Sequence, residues 1–60
     1  MNESLVEACA WLKKVAKHAK SIKDPVAAVG YLEEMEVMFD DIFCLENQEG
    51  LWNRYCGNII

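Results

Sequence analysis

Apolar residues recur along the first third of the chain at Leu5, Ala8, Leu12, Val15, Ala19 and Ile22, in steps of 3, 4, 3, 4 and 3. That alternation keeps one seam on one side of an α-helix. No Gly or Pro interrupts the stretch, and its Ala and Lys residues favour helix. Ser4 with Glu7 three residues on fits a capping box, with Asn2 as a competing cap. The pattern predicts a first helix over residues 4–22. Asp24-Pro25 then ends one helix and starts another. Proline restrains the residue before it from helical geometry, while Asp is a good N-cap and Pro a good first helical residue. A turn this short makes the two helices antiparallel neighbours.

The second predicted helix covers 25–47. Its seam is Ala28, Tyr31, Met35, Met38, Ile42 and Leu45, again in steps of 3 and 4, with a second apolar line, Val29, Leu32, Phe39 and Phe43, beside it. One neighbouring helix cannot cover so wide a face. Gly30 inside the pattern suggests a close helix approach, and Gly50 suggests a left-handed helix end. A short third helix over 51–56, ended by Gly57, and a docked apolar terminus at Ile59 and Ile60 complete the expectation. The fold class is therefore all-α: an antiparallel hairpin of two long helices with a short C-terminal helix, in a single domain spanning 1–60.

Size sharpens this picture. Sixty residues, 53% hydrophobic and 27% charged with only three Gly and one Pro, exclude a disordered or collagen-like chain. A chain this short seldom builds both a core and a walled pocket, so no enzyme is expected. Small domains commonly need a disulfide, a metal or self-association. The three cysteines, Cys9, Cys44 and Cys56, are widely spaced, with no CxxC and no Cys/His cluster. No metal or cofactor is expected. Cys9 adjoins the first seam and is expected to be buried, with Cys44 and Cys56 nearer the surface. No secretory leader and no apolar run of ~20 residues is visible, so the thiols are expected to be reduced in a cytoplasmic protein. Self-association is left as the expected remedy. The residues for it are Tyr31, Met35, Met38, Ile42 and Leu45, joining two hairpins as a homodimeric four-helix bundle.

Charge divides the chain. The net charge is -4, made of +2 up to Asp24 and -6 from Pro25 onward. The acids Glu33, Glu36, Asp40 and Asp41, with Trp11 and Trp52, are the candidate surface for a protein partner of a non-enzymatic regulatory or interaction module. The other reading is RNA or DNA binding by the lysine face of the first helix, Lys13, Lys14, Lys17 and Lys20, which the net acidity argues against. His18 among these lysines is expected to be a surface residue. No membrane contact is expected. In length and heptad pattern alone, the chain resembles the small RNA-binding helical hairpins that pair into four-helix bundles and control plasmid copy number. The resemblance carries no residues across. Tiny acidic helical proteins of this kind are also typical of bacteriophage and mobile-element accessory genes, which act by binding a host protein.

Overall fold

A computed structural model describes residues 3–59. Three helices follow one another: α1 over Glu3–Ser21, α2 over Pro25–Phe43 and α3 over Gln48–Cys56. α1 and α2 pack as a hairpin, and α3 folds back to touch both. The expected all-α hairpin with a short third helix is what forms.

The first turn forms as the sequence implies. Ile22 N–H still donates to the Ala19 carbonyl at 3.1 Å as α1 ends. Asp24 is extended, and its Oδ1 accepts from Val26 N–H at 3.0 Å. Pro25 occupies the first turn of α2, where its missing N–H costs nothing. At the other end of α1 the proposed capping box is displaced. Glu3 and Ser4 already lie inside the helix, so Ser4 is not its cap. The competing cap Asn2 is outside the described residues.

The second junction departs from expectation. α2 stops at Phe43, four residues before the predicted end, and Gly50 lies inside α3. Cys44 takes the left-handed position instead, at φ 45° and ψ 47°. Its thiol donates to the Asp40 carbonyl at 3.0 Å, satisfying one of the acceptors that a helix end leaves open. Gln48 ties the turn together. Its Oε1 accepts from Leu45 N–H at 3.0 Å, and its Nε2 donates to Asp40 Oδ1 at 2.8 Å. The gain from this bend is burial: α3 returns Trp52 and Cys56 to the core, which a straight continuation of α2 would carry away.

The core holds Ala8, Leu12, Val15, Ala16 and Ala19 from α1, Ala28, Leu32 and Phe39 from α2, and Trp52 and Cys56 from α3. The predicted seam of α1 is largely the buried one, although Leu5 at its start is exposed. On α2 the buried side falls between the two lines: Ala28 of the predicted seam is buried and Tyr31 and Met35 pack against the core, while Val29 of the second line is exposed. Leu32 and Phe39 are buried and Phe43 packs against the core, while Met38 and Ile42 of the predicted seam are exposed. The reason is the third helix. With α3 on one side, α2 turns Phe39 into the angle between α1 and α3. Gly30 is exposed, with open space where a Cβ would stand, so no close helix approach within the chain accounts for it. Ile59 packs against the core as expected; Ile60 is outside the described residues. Among the described residues, no helix is long and apolar enough to cross a membrane.

Candidate interaction surfaces

The aromatic residues gather where the start of α1 lies beside the end of α2. Phe39 is the hub. Its ring centroid lies 5.8 Å from Trp11, 5.4 Å from Phe43 and 6.1 Å from Trp52. Trp11 also meets Phe43 edge-on at 6.0 Å. Such offset and tilted pairs suit the ring quadrupoles. Trp52 is buried and Trp11 partly buried, so most of both indoles is committed to the fold.

The acids divide by helix periodicity. Glu36 and Asp40 face α3, where they line a groove of about 250 Å³ with Gln48, Glu49, Trp52 and Asn53. Glu33, one turn before Glu36, is exposed beside them. Asp41 is turned about 100° from Asp40 and belongs to the other edge of α2, with Glu34. Of the candidate partner surface, the fold therefore brings together Glu36, Asp40 and the edge of Trp52, adjoined by Glu33. It sets Asp41 and Trp11 apart. Glu49, from α3, is the acid that sequence patterning did not assign to this group; only the fold-back of α3 puts it there.

Apolar residues flank the acids. Val26, Val29 and Val37 are exposed on the outward face of α2, Val26 to 80% and Val37 to 61%. The self-association residues split in two. Tyr31, Met35 and Leu45 are partly buried and pack against the core, whereas Met38 and Ile42 are 45% and 56% exposed.

The lysines Lys13, Lys14, Lys17 and Lys20 are all exposed, spread over roughly a third of the α1 circumference. Lys14 and Lys17 line a shallow depression with His18 and Ser21. His18 is exposed, yet its ring lies 4.7 Å from that of Tyr31. Lys20 and Lys23 instead rim a second hollow of about 390 Å³ between Pro25, Ala28 and Ile59.

The thiols are ordered by depth: Cys44 exposed, Cys9 intermediate and Cys56 buried. Cys9 is thus less buried and Cys56 more buried than the sequence suggests, because the fold-back of α3 carries Cys56 into the core. Burial pushes the Cys56 thiol above the usual range, and the nearby Glu36 carboxylate adds to the shift. The Tyr55 hydroxyl is likewise raised, first by its hydrogen bond with Cys9. Among the described residues, no three His, Cys, Asp or Glu side chains converge as a metal site. No protein-family model, curated protein or solved structure matches this chain.

Proposed function

We propose that this protein is a non-enzymatic interaction module that binds a basic segment of another protein on the acidic side of α2 and α3. The observation that carries this reading is the convergence of Glu36, Asp40 and Glu49 on one groove edged by Trp52. Carboxylates in such a groove suit a guanidinium or ammonium group, which gains charge-assisted hydrogen bonds from the acids while its alkyl stem lies along the rim of the buried indole. Val29 and Val37 on the adjoining exposed face supply apolar contact for an amphipathic partner helix. A regulatory role follows from such a surface if its partner's activity depends on the basic segment being free. The origin in a bacteriophage or mobile element belongs to the same proposal and rests on size and acidity alone.

Trp52 fluorescence supplies the test. Titration with an arginine-rich amphipathic peptide should perturb its emission and give saturable binding that weakens with salt. The double variant Glu36→Lys/Glu49→Lys, which spares the Asp40–Gln48 hydrogen bond of the turn, should lose it with helicity unchanged. Binding that survives this reversal refutes the reading.

One observation favours a second reading. Lys14 and Lys17 share a depression with His18, which suits contact with nucleic-acid phosphates. In that case log affinity for RNA or DNA falls steeply with log salt, and Lys14→Glu/Lys17→Glu abolishes binding.

A further inference from the structure

The side of the hairpin opposite the acidic groove is apolar and uncovered. At about 100° per residue, Tyr31, Met38 and Ile42 share one face of α2, turned away from Glu36 and Asp40. Tyr31 meets His18 of α1 there, and Trp11 lies further along the same side of α1, against Phe39 and Phe43. The two long edges of this strip carry opposite charge. The α1 edge has Lys14 and Lys17 beside His18. The α2 edge has Glu34 and Asp41, both exposed. Glu7 is the exception, an acid on the α1 edge two turns before Lys14.

We propose that a second copy of this chain covers the strip, related by a two-fold axis parallel to the helices. That operator sets α1 of each copy over α2 of the other. By the register of the Trp11–Phe39 and His18–Tyr31 pairs, Lys14 and Lys17 of one copy then come level with Glu34 of its partner, with Glu7 beside Asp41 as a like-charged approach, and the symmetry repeats the match. A two-fold axis across the helices would set α2 over α2 and oppose its acidic edge, Glu34 and Asp41, with the same edge of the partner. Charge complementarity therefore selects the docking geometry as well as the occupant. The molecule measures 37 by 17 by 15 Å, so its long face, about 630 Å² in outline, falls at the low end of the roughly 600–1,000 Å² per partner of a standard interface. The small core supplies the motive, because among the large side chains of the described residues only Phe39 and Leu12 are fully buried. The acidic groove stays open on the far side, so this assembly and the binding proposed above can fail independently.

Light scattering over a hundredfold concentration range tests it. The expected mass is about 14 kDa, twice the 6.9 kDa chain. Ile42→Glu should halve the mass with the circular dichroism of the helices intact, since Ile42 is exposed in the single chain. Val37→Glu, on the outward face, should leave the dimer in place. Lys14→Glu and Glu34→Lys should each weaken association several-fold, and the double reversal should restore it. A 6.9 kDa species at every concentration, or a dimer indifferent to Ile42→Glu, overturns the proposal and leaves the strip to a different protein. A double reversal no better than either single one overturns the axis.

Discussion

The indole of Trp11 is stacked on the ring of Phe39, with centroids 5.8 Å apart and planes 15° from parallel. The pair joins α1 to α2, and Phe39 also meets Trp52 of α3, with ring centroids 6.1 Å apart. One side chain thus bridges all three helices.

Phe39→Ala should be the most damaging truncation on α2. Deleting a fully buried phenyl ring costs about 3–5 kcal/mol, enough to unfold much of a domain this small. Phe39→Leu keeps most of the volume and should cost less, which keeps the comparison measurable. Val26→Ala, at an exposed site, should stay within about 0.5 kcal/mol. Urea denaturation followed by circular dichroism gives all three values, and equal effects at Phe39 and Val26 would contradict the packing described.

The three glycines should answer an alanine scan with different signs. Gly30 and Gly50 sit in helices, at negative φ, with nothing within 4 Å of a built Cβ. Alanine at either should stabilise by about 0.5–1 kcal/mol through helix propensity. Gly57 is different. A Cβ there would stand 2.6 Å from the Asn53 carbonyl oxygen, so Gly57→Ala should destabilise α3. Thermal melts of the three variants are sufficient, and a stabilising Gly57→Ala would show that this turn is more open than described.

Thiol labelling should follow depth. Cys44 should react first with a disulfide reagent, Cys9 more slowly, and Cys56 only as the chain opens. Mass spectrometry of peptides from a timed labelling series reads the order. Cys56 leading would mean that α3 does not hold its place against α1 and α2.

Alkaline pH should weaken the fold through Cys56. Burial, aided by the Glu36 carboxylate, raises its folded-state pKa above the value in the unfolded chain. The folded protein therefore binds the proton more tightly, and stability falls as pH rises past the ordinary thiol range near ~8.5. Tyr55 acts in the same direction at higher pH. Cys56→Ala should flatten the decline in stability between about pH 8 and the onset of tyrosine ionisation, read from urea midpoints across that range. A decline unchanged by the substitution would assign it to another group.

Local chemistry in the sequence determined what needs only near neighbours. The heptad steps from Leu5 to Ile22 identify α1 and most of its buried side, because helix periodicity depends on spacing alone. Asp24-Pro25 specifies the first turn, because proline geometry and an Asp cap act within two residues. The breadth of the apolar face on α2 is also plain in the residues. Which part of that face is buried was decided only in three dimensions. Met38 and Phe39 are equally apolar neighbours, yet one is exposed and the other is the core hub, because α3 takes up one side of the hairpin. The end of α2 follows the same logic. Gly50 had the propensity for a left-handed helix end, but Cys44 adopts it, since bending there buries Trp52 and Cys56. The acidic groove comes from that bend as well: Glu36 and Asp40 are neighbours by periodicity, and Glu49 and Trp52 join them only because the third helix folds back.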